Sequence, residues 1–495
     1  MNTIYLCTIA EPWIAVSKRL ESEYNIKPSY FVHWISDREA FIKSNFKDCY
    51  LQTVEDAWKG LGFPSDIERY ILDEEELQLI AQYELIGLKM MDRLDPDGES
   101  FPFNIRQYFF RDLLGYWLSV IENRNISLVV SPSIPHRVFD YALYVACKLK
   151  NKKFIMFQLT PFGSNSILID DINKMPKISN SNVLNKLPSE VIQKKIYKIS
   201  GEYKDAIPSY MIQHAVNDRK LIFIKKIINI FFKKNYKIYK LFKTNPNTYW
   251  VKKNYFPEET KFSWFNFYLM NIRRNSKVKS FKKIYDSMIT KELPEKFILV
   301  ALHYQPEETS CPTGGVYADQ ILMIQLLDQK IPKDIQIIVK EHKSQFYMHQ
   351  ESASGRDALF YKRIAQISNR INFVSEDCDP FKLIDQAKAV VTISGTIGWE
   401  SAIRGTPVLV FGRAWYENMP RVFKIKTKED LMIALDKIDD QKNKNLESAI
   451  INFHLLIERS FINAIHYKAY KRNSDITIED SVGNIVDGLV GFLKL

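Results

Sequence analysis

Three short runs in the C-terminal half of the chain combine side chains that transfer chemistry uses. The first is HYQPEETS, residues 303–310, directly after the apolar run KFILVAL. A strand that ends in so many polar groups suits a ligand better than packing. Glu307 is a candidate acid, base or nucleophile, and Gln305 and Thr309 are candidate hydrogen-bonding groups. A solvated loop is the competing reading. The second is VKEHK, residues 339–343, where an apolar strand ends in Lys340, Glu341 and His342. A lysine and a histidine together can hold a phosphate and stabilise a leaving group, although a single histidine more often serves structure. The third is TISGTIGWESAIRGTPVLVFG, residues 392–412. A strand runs into Ser394, Gly395 and Thr396, then into a helix carrying Glu400 and Ser401. Gly395 and Gly398 allow close backbone approach. The first turn of a helix offers a phosphate unpaired N–H groups and a positive dipole end.

Other runs carry less. PSIPHRVFDY, residues 132–141, sets His136 and Asp140 just after a strand. Four positions apart, they share a helix face that could look into a cleft, although a helix cap with a satisfied histidine fits equally well. Asp377 and Asp379 spell DxD, a pattern that can bind the metal of a nucleotide diphosphate, but Pro380 makes Asp379 a helix cap. Asp170-Asp171 is weaker still. No metal site is expected. There is no P-loop, GxSxG, kinase set or HExxH.

The elements that must position these groups follow a β-α-β rhythm. In the first 160 residues, TIYLCTI (3–9), PSYFVHWI (28–35), SLVVSPS (127–133) and KFIMFQL (153–159) read as strands. Pro12 to Tyr24, Glu74 to Arg93 and 138–150 read as helices. From Lys296 the rhythm returns: strands at KFILVALHY, IQIIVKEH, INFVS, AVVTIS and TPVLVFG alternate with helical patterns. This predicts α/β architecture in four parts. They are a Rossmann-like domain over 1–180, a basic helical insertion or linker over 181–290, a second Rossmann-like domain over 291–430, and helices over 431–495 that pack back towards the first domain. Ligands of open α/β sheets sit at the carboxyl ends of the strands, where the three runs fall.

Composition sets the bounds. The chain has 495 residues, 46% hydrophobic and 26% charged, which excludes disordered and fibrous classes. Cys7, Cys49, Cys147, Cys311 and Cys378 form no CxxC pair, as expected of free thiols in a reducing compartment. The N-terminus lacks a signal-peptide pattern. No stretch of about 18 apolar residues occurs, and the longest candidate, Leu221 to Phe232, is cut by Lys225 and Lys226. The net charge is +11. Residues 219–285 hold 18 Lys/Arg against 2 Asp/Glu, so the rest of the chain is net negative. Apolar residues alternating with lysine pairs suit a helix on an anionic membrane surface. A solvated basic face is the plain alternative. No nucleic-acid motif accompanies the charge, and nucleic acid is not expected as a partner.

HYQPEETSCPTGGVYADQ, PKDIQIIVKEHKSQF and VVTISGTIGWESAIRGTPVLVFG together resemble the bacterial capsule polysaccharide biosynthesis glycosyltransferases, GT-B enzymes related to the β-Kdo transferases. The resemblance spans about 296–425, is fainter over 128–171, and leaves out the basic region. It implies two Rossmann-like domains around a central cleft. The donor would be a CMP-activated ulosonic or nonulosonic acid of the Kdo, pseudaminic or legionaminic type. Transfer would be to a hydroxyl of a glycan or lipid-linked glycan, without a metal or other cofactor. It also implies a cytoplasmic enzyme, peripheral on the inner membrane through the basic segment. Glu307 is the implied key carboxylate, with Glu308 and Asp140 as rivals. His342 and Lys340 would stabilise the departing phosphate, Ser394, Gly395, Thr396 and Ser401 would line the nucleotide site with Gln305, and Glu400 would hold ribose hydroxyls. His136 falls on the acceptor side. Where the family commonly has His-Pro, Lys343 follows His342. The alternatives are a UDP- or GDP-sugar transferase, a sugar-nucleotide epimerase and a non-catalytic capsule-assembly partner.

Overall fold

The computed structural model describes residues 1–6, 11–34, 43–95, 101–175, 187–207, 211–213, 215–216, 264–305, 307–347, 352–438, 445–466 and 476–495. Cys7 and the basic run over 217–263 lie outside the described residues.

Two sheets organise the chain. The first contains β1 (Asn2–Tyr5), β2 (Lys27–His33), β3 (Tyr50–Thr53), β4 (Ile126–Ser131), β5 (Lys153–Leu159), β6 (Asn165–Ile169) and β13 (Phe461–Asn463). Its spatial order is β13-β6-β5-β4-β1-β2-β3, parallel from β3 to β5, with β6 antiparallel to β5 and β13 antiparallel to β6. The second contains β7 (Phe297–Ala301), β8 (Gln336–Lys340), β9 (Ile371–Val374), β10 (Ala389–Thr392), β11 (Val408–Val410) and β12 (Val422–Lys424). Its order is β12-β11-β10-β7-β8-β9, all parallel. Counted along the chain, that is the 3-2-1-4-5-6 order of a doubly wound Rossmann sheet, and the parallel part of the first sheet shares it.

The strand sequences explain this burial. FILVA in β7 and AVVT in β10 are buried at every position, as central strands covered on both faces must be. The helix Val138–Leu149 is apolar nearly all round and buried from Val138 to Cys147, because it is wedged between β4, β5 and the helices Glu74–Met90 and Phe103–Asn123. The short strands β3, β6, β12 and β13 and the long helix Phe103–Asn123 are additions to the pattern read from the sequence.

Two described stretches of the 181–290 region pack on the second domain. The helix Trp264–Ser287 carries the end of the basic segment, yet Val278, Phe281 and Tyr285 are core residues of the second domain. Lys279 and Lys283 are exposed, while Lys282 pairs with the buried Glu376 at 2.8 Å. The helix Glu190–Ser200 likewise buries Ile192 and Ile199 against the other face of the second sheet. Towards the C-terminus, Phe461↔Ile167 and Asn463↔Asn165 pair β13 with β6, and the helix Ile478–Leu493 packs on the helix Glu11–Tyr24.

Candidate active site

β7 lies between β8 and β10, so the chain leaves it to one side and later returns on the other. Such a reversal leaves a crevice at the carboxyl ends of the strands. Here the ends of β7, β8 and β10, together with the first turn of the helix Thr396–Ile403, enclose a cavity of about 480 Å³. Its lining includes His303, Glu307, Thr309, Lys340, His342, Glu376, Thr392, Gly395, Thr396 and Glu400. Opposite these polar groups stands an apolar wall of Ile207, Met211, Ile212, Ala215 and Val216, with Tyr203 beside it. The structure thus gathers Glu307, Lys340, His342, Gly395, Thr396 and Glu400 around one space.

A buried ion pair holds the strand ends in place. Glu341 is fully buried. Its Oε2 accepts from Arg356 Nε at 3.0 Å and from Tyr361 at 2.8 Å, and its Oε1 accepts from the His342 N–H at 2.8 Å. Arg356 also donates to the His303 carbonyl at 2.9 Å. One guanidinium therefore bridges the loops after β7 and β8, and the glutamate of the KEH run is an anchor that leaves its neighbours, Lys340 and His342, to the cavity.

His342 Nδ1 accepts from the Ser344 N–H at 3.3 Å, capping the short turn Lys343–Phe346. The proton then sits on Nε2. Burial and the nearby Lys340 lower its pKa to about 4, so the ring is a neutral donor. Lys340 donates to the Glu376 carbonyl at 2.7 Å, and burial lowers its pKa also. Lys343, which stands where the family has proline, pairs with Asp377. Asp379 caps the helix Pro380–Gln386 through Phe381 N at 2.9 Å. Among the described residues no three His, Cys, Asp or Glu side chains gather as a metal-ligand set.

Glu307 and Glu308 point to different neighbours. Thr309 donates to Glu307 Oε2 at 2.8 Å. The Glu307 side chain is exposed to solvent at the cavity, and partial desolvation by the surrounding cleft raises its pKa against that bond. Glu308 instead reaches the first domain, where its Oε2 lies 3.2 Å from His136 Nδ1. The same nitrogen donates to the Ile134 carbonyl at 2.7 Å. The carboxyl ends of β4 and β7 therefore face one another. The loop after β7 carries Cys311 and Ala318 into the first domain's core.

Several residues named from the sequence lie elsewhere. Asp140 is buried beside Arg137 and accepts from the Arg137 N–H at 2.7 Å, closing the start of the helix Val138–Leu149. It is a helix cap, not a cavity group. Gln305 is spent on the Ala318 carbonyl and on an exchange of bonds with Gln345. Ser394 donates to the Thr309 carbonyl, and Ser401 to the Ile397 carbonyl at 2.6 Å. Sequence reading named neither His303 nor Arg356 as site residues. His303 stood at the head of the quoted HYQPEETS run, whereas nothing in the spacing of Arg356 marked it.

Burial raises the pKa of Asp140, of Glu308 and of Glu400 to about 7 in each case. In the unfolded chain these groups ionise near pH 4. A raised carboxyl pKa favours the folded state while the group is protonated, and that advantage is lost as pH rises through the folded value. The melting temperature of Glu400→Gln relative to the wild type is therefore expected to rise between about pH 4 and pH 7, a comparison that cancels the buried histidines His303 and His342, whose lowered pKa values act in the opposite direction. Thermal unfolding of the pair over that range checks it, and a constant difference contradicts the assignment.

Together, the two doubly wound domains and a polar cavity at a strand-order reversal define a protein of the doubly wound α/β class. Residues 225–422 match the model of a family described as capsule polysaccharide biosynthesis protein. The match reaches upstream through most of the basic segment, which the resemblance read from motifs had left out. Among solved structures, the KpsC β-Kdo 2,7 transferase of Thermosulfurimonas dismutans shares 8% identity, covering 74% of this chain and 87% of that one, with a TM-score of 0.27. The UDP-GlcNAc 2-epimerase of Rickettsia bellii shares 11%, covering 99% and 98%, at 0.26. A glycosyltransferase of Rickettsia africae shares 12%, covering 100% and 99%, at 0.24. At these scores none of the three bears on function. No curated protein sequence matches the chain significantly. Among the described residues no helix is long and apolar enough to cross a membrane.

Proposed function

We propose that the protein is a glycosyltransferase of capsule polysaccharide synthesis that uses a CMP-activated ulosonic or nonulosonic acid as donor. The observation that carries this reading is the convergence of Lys340, His342 and the Gly395–Thr396 helix start on one cavity with Glu307 at its rim. These are a cation, a neutral N–H donor and the open first turn of the helix Thr396–Ile403, the Gly395 N–H being held by Thr392 Oγ1. They suit a single departing phosphate, which is the leaving group of a CMP-sugar. The bond from the sugar's anomeric carbon to the phosphate oxygen breaks through an oxocarbenium-like transition state. The acceptor hydroxyl oxygen forms the new bond, and its proton passes to the Glu307 carboxylate. Glu400 takes the ribose hydroxyls. The acceptor is a glycan or a lipid-linked glycan. The 219–285 segment would hold the enzyme on the anionic inner-membrane surface, and its composition supports that placement.

The test is a thermal-shift panel of CMP, CDP, UMP, UDP and GDP, with and without manganese. A ligand at 100 times its Kd adds about 2.7 kcal/mol. A shift with CMP that does not need manganese is expected. A shift confined to UDP or GDP would replace the donor, and no shift with any nucleotide would leave the non-catalytic capsule partner as the better reading.

A further inference from the structure

His303 stands where three elements of the cavity meet. The ring is buried at the end of β7, and its Nε2 receives the N–H groups of Ile393 at 3.1 Å and Ser394 at 3.3 Å. Thr392 Oγ1 lies 2.9 Å from the same nitrogen and itself accepts from the Gly395 N–H at 3.2 Å. A nitrogen approached by two backbone donors must carry the lone pair. The ring proton is therefore on Nδ1, which faces Thr309 Oγ1 at 3.4 Å. Thr309 in turn donates to Glu307 Oε2 at 2.8 Å. Every hydrogen in this string points towards Glu307. Burial holds the ring neutral, with its pKa lowered to about 3, so the direction does not reverse near neutral pH.

We propose that His303, acting through Thr309, is the positioning residue of the Glu307 carboxylate, and that the same ring fixes the turn that leads into the helix Thr396–Ile403. The Gly395 N–H is itself held by Thr392 Oγ1, so the cradle is the first turn of the helix Thr396–Ile403, and one side chain sets its distance from the carboxylate on the neighbouring strand end. A second consequence is electrostatic. A hydroxyl bond to one carboxylate oxygen stabilises the ionised form, so Thr309 keeps Glu307 a base at a lower pH than desolvation in the cleft alone would permit. It also fixes which oxygen is engaged, leaving Oε1 for the proton of the reacting hydroxyl. The role rests on the cavity being the donor site.

The test uses Thr309→Val and Thr309→Ser in the full-length protein. The Thr309 carbonyl, which accepts from Ser394 and Thr313, survives in both. Thr309→Val removes the hydroxyl at nearly constant volume. It is expected to leave CMP affinity within about twofold, to lower kcat about tenfold, and to move the acidic limb of the kcat–pH profile up by roughly one unit. Thr309→Ser is expected to restore both kcat and the limb. His303→Asn should show the same upward limb if it folds, with weaker CMP binding added. A Thr309→Val enzyme with an unmoved acidic limb overturns the proposal, as does a serine variant that rescues nothing. Absence of CMP binding by the wild-type protein is a separate result, which removes the donor-site reading itself.

Discussion

Glu307→Gln is expected to bind CMP as the wild type does and to turn over its donor about 10²- to 10⁴-fold more slowly, the range for a positioned acid–base group. The substitution keeps size and shape, and its amide oxygen can still accept from the Thr309 hydroxyl that reaches Glu307 Oε2 at 2.8 Å. Only the proton-accepting capacity is lost. The pH dependence follows from the direction of the shift. Partial desolvation in the cleft raises the Glu307 pKa although the side chain meets solvent, and a base works in its ionised form, so wild-type kcat should rise with pH on the acidic side. The glutamine variant should lose that limb. Glu308→Gln separates the two adjacent carboxylates. Glu308 faces His136 across the domain boundary, so its replacement should leave the acidic limb in place. If Glu307→Gln retains full turnover while Glu308→Gln does not, the roles assigned to the pair are exchanged.

Arg356→Met is expected to produce the largest loss of stability among single substitutions around the site. The guanidinium and Glu341 are both almost completely buried, with Nε to Oε2 at 3.0 Å. Removing the cation leaves a carboxylate in the core with only Tyr361 and the His342 N–H as partners. Breaking such a pair costs about 3–5 kcal/mol, or roughly 3–5 °C in Tm for a chain of 495 residues. The double variant Arg356→Met, Glu341→Gln should recover part of the loss, because no charge then remains buried. Thermal unfolding of the wild type and the two variants measures both effects. An unchanged melting temperature in the single variant would show that Glu341 is not ionised in the fold. Arg356 also holds the His303 carbonyl, so the single variant should bind CMP more weakly than its stability alone explains.

Much of the second domain was legible in the sequence because its strands are buried on both faces. Continuous apolar runs such as FILVA and QIIVK stand out against polar loops, and the loops hold the chemistry. The functional runs at 303–310, 339–343 and 392–412 were recognisable for that reason, and Glu307, Lys340, His342, Gly395, Thr396 and Glu400 share one cavity. Strands of three or four residues such as β12 and β13 have no period long enough to read, and they exist through pairing with a neighbour already in place. Composition could not divide the basic region either, since a lysine-rich helix and a lysine-rich linker look alike until Phe281 and Tyr285 find a core.

Within each motif, the sequence determined which residue types stand at the strand ends, because alternation and loop position are local properties. Which polar atoms remain available for a ligand was decided by tertiary structure alone. Asp140, Gln305, Ser394 and Ser401 carry suitable groups, but each has its hydrogen bonds taken by the protein. His303 gained its place through Ile393, Ser394 and Thr309, whose approach depends on β10 lying beside β7. Buried polar groups must find partners, and those partners come from distant parts of the chain. The assignment of roles within a motif is therefore a property of the folded contacts, while the motif itself belongs to the sequence.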